Sequence, residues 1–307
     1  MQTTPVRHWY GFGLSLLTAA LWGMLPVFLK LTLEVMDAVT VVWYRFTVSA
    51  LFVLALLIRR NALPPLRGIS RSSNGLLLLA ALGLIGNYIL YLHGVDLLEP
   101  ETAQVLIQLA PFLLMCGGII LYKERFNWLE SLGAVVLLAG LLLFFNDRLA
   151  LLLTSMSEYT LGVLSIIAAA ITWAVYALSQ KQLLKSLTAR QLTAVFYSCG
   201  GLFLLPFAVP MLILEMDVLQ LSALAFACAN TIVGYGAFTQ AMHVWHASKV
   251  SAVIALAPLF TFISMELAVV IWPSRFTPSE LDIWAYIGAG MVMVGSMAAA
   301  LGRGKAN

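Results

Sequence analysis

The sequence predicts an all-α membrane protein of ten transmembrane helices arranged as two inverted five-helix repeats, and three observations carry that expectation. Of 307 residues, 62% are hydrophobic and 10% charged, with a mean hydropathy of +0.95, whereas soluble domains carry about 25% charged residues. The apolar runs match the roughly 20 helical residues that cross about 30 Å of hydrocarbon, and a β-barrel would show alternating segments of about 10 instead. Residues 77–115, which contain Asn87-Tyr88 and Leu109-Ala110-Pro111, are echoed by residues 224–262, which contain Gly234-Tyr235 and Leu256-Ala257-Pro258.

Charged residues and Pro/Gly punctuation divide the chain into spans at 9–29, 39–58, 75–94, 101–122, 127–145, 160–180, 191–213, 219–242, 249–271 and 283–302. The first begins after Trp9-Tyr10 and continues past Leu25. It is longer than a signal-peptide core and has no small-x-small cleavage site, so it is expected to remain as a span. Cys116, Cys199 and Cys228 all fall inside spans, an odd number without metal-ligand spacing, and read as small packing residues.

With the N-terminus inside, the cytoplasmic segments hold Arg7, Arg59, Arg60, Arg67, Arg71, Lys123, Arg125, Lys181, Lys185, Arg190, Lys249, Arg303 and Lys305. Lys30, Arg148 and Arg275 remain outside, and Arg45 lies within a span. This bias predicts cytoplasmic N- and C-termini. The net charge of +3 reflects anchors to the anionic inner leaflet, and no nucleic-acid partner is implied. Trp9, Tyr10, Tyr122, Trp128 and Trp245 are expected at the inner interface, and Trp43, Tyr44, Tyr159, Trp272 and Trp284 at the outer one.

The duplication extends beyond its best block, because Trp22 aligns with Trp173, Lys30 with Lys181, and Gly133 and Gly140 with Gly288 and Gly295. Seven-residue glycine spacing keeps small residues on one helix face for close contact. Five spans per half is an odd number, so the second half must enter from the opposite side, which is how many transporters enclose a midplane site. The repeats are expected at 1–150 and 151–307, joined by an outer loop from about 146 to 159.

Ala20-Leu21-Trp22-Gly23 in the first span, Tyr44-Arg45-Phe46 in the second, and the run from Ala103 through Pro111 to Glu124-Arg125-Phe126 carry a family likeness. With the glycine-spaced fifth span, they resemble ten-helix members of the drug/metabolite transporter superfamily built from two EamA-type repeats. The resemblance covers nearly the whole chain. It implies a bacterial inner-membrane exporter of amino acids and related metabolites, with a small-molecule substrate and a lipid bilayer as partners and no cofactor. The second half departs from the pattern, with Ser274-Arg275-Phe276 in place of Glu-Arg-Phe and an acidic Glu266 earlier in the span.

Gln104, Gln108, Pro111 and Met115 fall at i, i+4, i+7 and i+11, one stripe of the fourth span, repeated in the ninth by Ser251, Ala255, Pro258 and Phe262. Pro111 and Pro258 remove an amide each and are expected to kink their helices, freeing the carbonyls of Ile107 and Ile254 as hinge or site elements, or merely as packing kinks.

Arg45 and Glu266 are the charges well inside spans, each about 9 Å deep at about 1.5 Å per residue. Equal depth permits an ion pair that gates the outer opening or binds a zwitterionic substrate, and a coupling role for Glu266; the structural alternative is an Arg45 that snorkels outward.

Trp22, Tyr88, Tyr91, Trp173, Tyr176 and Tyr235 are expected to line a central cavity through stacking and cation–π contacts, with helix packing as the alternative. Asn87 and Asn230 add amide groups that serve either a substrate or helix-to-helix bonding. His243 and His246 read as interfacial rather than metal-binding, since no carboxylate or cysteine accompanies them. No phosphate loop, nucleophile elbow or zinc-protease signature supports ATP-driven transport or an enzyme. The expected function is therefore secondary export of small amphipathic metabolites, neutral or aromatic amino acids above all, by alternating access in a monomer. Polyspecific proton-coupled drug or cation efflux is the alternative; small members of the superfamily it resembles carry a carboxylate in the first span for that exchange, this first span holds none, and Glu266 would have to serve.

Overall fold

The structure is a computed structural model that describes residues 5–64, 71–123 and 127–302. The expected anchors Arg67, Arg125, Arg303 and Lys305 and the Glu124-Arg125-Phe126 motif lie outside the described residues, as do the side chains of Arg7, Arg71 and Tyr122.

Thirteen α-helices make up the described fold, and no strand occurs among the described residues. They are α1 (Pro5–Leu33), α2 (Ala38–Arg59), α3 (Arg71–Leu97), α4 (Pro100–Leu106), α5 (Leu109–Tyr122), α6 (Trp128–Phe144), α7 (Leu149–Thr154), α8 (Glu158–Leu183), α9 (Ala189–Leu204), α10 (Val218–Val244), α11 (Ala247–Ile254), α12 (Ala257–Ile271) and α13 (Ile283–Gly302). Among the described residues, eight spans are long and apolar enough to cross a membrane, or nine if the bent pair α6 and α7 counts as one. Two of the eight, Pro100–Leu121 and Lys249–Ile271, contain an internal break.

Helix ends follow local chemistry. Asp37, Asn127, Ser157, Thr188 and Asp217 each accept a backbone N–H of the first turn of the helix they cap. The seventh expected span, 191–213, is shorter than predicted: α9 stops at Leu204, because Pro206 and Pro210 follow and a 3-10 turn covers Pro210–Glu215. The fourth and ninth spans are broken rather than kinked, at 107–108 and 255–256. Pro111 is the third residue of α5 and Pro258 the second of α12, where a proline fits because first-turn amides have no helical acceptor. The expected free carbonyl of Ile107 accepts the Ala110 N–H at 2.9 Å.

Packing joins first-half helices to second-half helices: α1 to α10, α3 to α8, α2 to α9 and α6 to α13. In α6 and α13, Gly133 lies against Gly295 and Gly140 against Gly288, so the two helices run antiparallel with their backbones in contact. This is the close approach that the glycine spacing predicts. Gly200 leaves room for the Phe46 ring between α9 and α2, and Gly234 leaves room for the Trp22 indole between α10 and α1.

Loops gather at two ends of the bundle. At one, the Gln191 amide donates to the carbonyls of Ala62 (3.1 Å) and Leu63 (3.3 Å), placing the end of α2 beside the start of α9. The Trp245 indole donates to His8 there at 3.0 Å, and Trp245 is buried against the protein. At the end expected outside, Arg148 pairs with Glu99 at 3.2 Å, and Arg275 pairs with Glu34 and, at 2.7 Å, with Asp217. Lys30 donates to the Asp96 carbonyl at 2.7 Å. All three basic residues expected on that side therefore hold neighbouring loops together.

Candidate functional site

Helix α2 carries Arg45 inward, where only 3% of the residue is exposed. Its Nε donates to Thr231 Oγ1 of α10 at 3.1 Å, and its guanidinium lies 4.6 Å from the centre of the Tyr88 ring of α3. A cation buried this deeply is held by a hydroxyl and an aromatic face, an arrangement that keeps the charge without a carboxylate. The ion pair with Glu266 that equal depth permits does not form: Glu266 is exposed on α12, and Arg45 points into the bundle.

Aromatic rings surround this charge. Phe46 lies 4.7 Å from Tyr88 and stacks on Tyr197 of α9 at 5.2 Å, while Tyr176 of α8 meets Phe196 edge-on at 5.6 Å. Tyr197 and Tyr235 both neighbour Tyr88 and Tyr176, so five helices, α2, α3, α8, α9 and α10, contribute to one phenol-lined centre. Trp22 closes the α1 side, 5.2 Å from Tyr235 and 5.6 Å from Phe238. The centre thus combines a positive guanidinium with π faces and phenol hydroxyls, which together suit a carboxylate on an apolar or aromatic body.

The broken helices border this centre. Tyr91 O–H donates to Gln104 Oε1 of α4 at 2.8 Å, and Gln108 Nε2 donates to the Ala255 carbonyl at 3.1 Å. Gln108 and Ala255 are the equivalent residues of the two echoed blocks, so the break between α4 and α5 meets the break between α11 and α12. On α1, Gly23 lies against the Ala257 backbone, and its carbonyl accepts Thr261 Oγ1 at 2.7 Å.

Other expected site residues go elsewhere. The amide of Asn87 donates to the Ala169 carbonyl at 2.9 Å, and that of Asn230 to the Leu21 carbonyl at 2.5 Å, so both join helices. Trp173 packs partly buried on the apolar core, Pro111 is exposed, and Pro258 is buried at the start of α12. A separate crevice of about 260 Å3 opens between α3, α5 and α8; its walls are apolar except for Ser179 and Gln182, and it does not include the aromatic centre.

Sequence reasoning missed Phe46, Tyr197 and Thr231, each of which touches or neighbours the Arg45 and Tyr88 pair. A usable signal existed for Thr231, one residue beyond Asn230 on the inward-facing side of its helix.

Comparison with known proteins agrees with this architecture. Residues 9–146 and 160–300 match the EamA-like transporter family. The chain belongs to that family. This EamA-like transporter is 39% identical over 294 residues to the uncharacterized inner membrane transporter YhbE of Escherichia coli (strain K12), covering 95% of this chain and 91% of that relative. It is 36% identical over 292 residues to an uncharacterized transporter of Haemophilus influenzae, covering 95% of each. A probable amino-acid metabolite efflux pump of Escherichia coli (strain K12) is 23% identical over 300 residues, covering 92% of each. One crystal structure shares the fold over 97% of this chain and 98% of its own, with a TM-score of 0.57 and 20% identity. These likenesses make the protein a multi-pass membrane transporter.

Proposed function

We propose that this EamA-like transporter is a secondary exporter of small amphipathic metabolites, neutral or aromatic amino acids in the first place. It works in the bacterial inner membrane with both termini cytoplasmic, as a monomer of ten spans in two inverted repeats. The observation that carries the substrate class is the buried Arg45 guanidinium within a ring of Tyr88, Tyr197, Tyr176, Tyr235 and Trp22. A guanidinium favours the carboxylate of an amino acid, and the aromatic faces favour its ammonium and apolar side chain. The distant relative named as a probable amino-acid metabolite efflux pump supports the same class.

Inversion is supported by the antiparallel glycine contact of α6 with α13 and by α4 lying against α12 rather than α11. Alternating access then consists of the half-helices α4, α5, α11 and α12 pivoting at breaks joined by Gln108, with Pro111 and Pro258 fixing where the second segments begin. Arg45 serves at the substrate site, and Glu266 serves at the outer end of the path.

Counterflow tests the reading: proteoliposomes preloaded with unlabelled phenylalanine take up labelled phenylalanine faster than protein-free vesicles. No counterflow across all neutral and aromatic amino acids, with efflux of cationic drugs in its place, overturns it.

A further inference from the structure

Glu101, in the first turn of α4, belongs to no part of the site described above. It is 2% exposed, the Ser279 hydroxyl donates to Oε1, and Oε2 has no hydrogen-bond partner. Its own backbone amide and the N-terminal turn of α4 compensate it in part, and among the described residues no cation adds to them. Glu99 precedes it at the helix start and is already paired with Arg148, Glu266 approaches from α12, and the Tyr286 phenol approaches from α13. From α1, Lys30 is turned to the Asp96 carbonyl of α3, and from α8, Tyr159 lies under Arg148. Among the described residues, no Lys or Arg forms an ion pair with Glu101. A carboxylate buried beside two others, with one oxygen idle and no cation, carries a burial cost that a proton would remove.

Position gives that proton a use. Glu101, Gln104 and Gln108 fall at i, i+3 and i+7, one face of the broken span. Below Glu101, Gln104 accepts from Tyr91 at the aromatic centre, and Gln108 reaches the break at Ala255. Helix α4 packs against α12, the segment that carries Glu266. A shift of α4 against α12 therefore changes the surroundings of Glu101 and of the substrate centre together.

We infer that Glu101 is the proton-coupling residue of this transporter. Its Oε2 takes a proton from water at the outer end, holds it while Glu101 is buried as in this structure, and returns it to water on the inner side as the half-helices move. One proton enters for each substrate that leaves, with no other co-reactant. A sodium site is disfavoured because one carboxylate and one hydroxyl supply fewer oxygens than a bare cation requires. The inference rests on the export reading above.

Infrared spectroscopy tests the proton without any substrate. Purified protein at pH 7 should show the carbonyl band of a protonated carboxylic acid that Glu101→Gln removes and Ser279→Ala shifts; a band unchanged in both variants overturns the assignment. In proteoliposomes, a gradient of one pH unit should drive about tenfold accumulation of phenylalanine through a one-for-one exchanger. Glu101→Gln should abolish that accumulation yet retain counterflow, which needs no net proton movement. Accumulation that persists in Glu101→Gln, or that requires sodium instead of a pH gradient, overturns the coupling role. If the wild type shows no counterflow, the export reading fails while the infrared result still decides whether Glu101 holds a proton.

Discussion

Replacing Arg45 distinguishes a substrate-binding guanidinium from a structural one. Among the described residues it has one hydroxyl partner, Thr231 at 3.1 Å, and one aromatic face, Tyr88 at 4.6 Å. Its remaining N–H groups are thus free to grip a carboxylate in a bidentate fork. A charge-assisted hydrogen bond contributes about 1.5–3 kcal/mol, so Arg45→Met should weaken phenylalanine binding by roughly 10- to 150-fold. Arg45→Lys keeps the charge but loses the fork, and its loss should be smaller, about tenfold. The control is phenethylamine, which lacks the carboxylate and should bind the wild type and Arg45→Met within about a factor of three. Equilibrium binding of labelled ligand to detergent-purified protein reads both constants. The reasoning is refuted if Arg45→Met weakens the amine as much as the amino acid, for then arginine supports the shape of the site and not the carboxylate.

Further expectations follow from the packing. In α13, Gly288→Ala places a methyl against the α6 backbone, whereas Gly290 has open space around it. The first substitution should cost about 1–3 kcal/mol of stability as overpacking and the second nothing measurable, as read by thermal unfolding in detergent. Gln108→Leu removes the bond to Ala255. It should cost about 0.6–1.7 kcal/mol in stability, the range for hydrogen bonds between membrane helices, while counterflow slows more than binding weakens. Arg275→Gln dissolves the pairs with Glu34 and Asp217, which are partly exposed. The stability cost should stay within about 1 kcal/mol and vanish at high salt. Cysteines introduced at 61 and 190 should react with an impermeant reagent from the same side of the membrane, because Gln191 holds Ala62 and Leu63.

Hydropathy located the eight spans that are long and apolar enough to cross a membrane because each is a continuous apolar run, and it overran the seventh, where prolines end α9 at Leu204; the glycine spacing foretold which faces of α6 and α13 would touch. Trp22, Tyr88 and Tyr235 were legible as a group because the echoed blocks place two of them at equivalent positions. The breaks at 107–108 and 255–256 were not legible: two turn residues inside an apolar stretch leave hydropathy unchanged, and each proline lies downstream of the break it accompanies. Glu101 escaped notice because it falls where a span begins, and carboxylates at span ends are ordinarily hydrated. The pairing of Arg275 with Glu34 and Asp217 joins residues 241 and 58 positions apart, a distance over which charge pattern carries no partner information.

The glycine contact of α6 with α13 restricts what the rest of the molecule can do. Where two backbones touch without intervening side chains, sliding by part of a turn drives Phe144 and Leu137 main-chain atoms into the opposite helix. The pair therefore behaves as a stiff post within the bundle. In the alternating access proposed above, motion that opens one mouth and shuts the other would fall to helices whose neighbours are aromatic rings and turns, with α6 and α13 as the frame against which they swing.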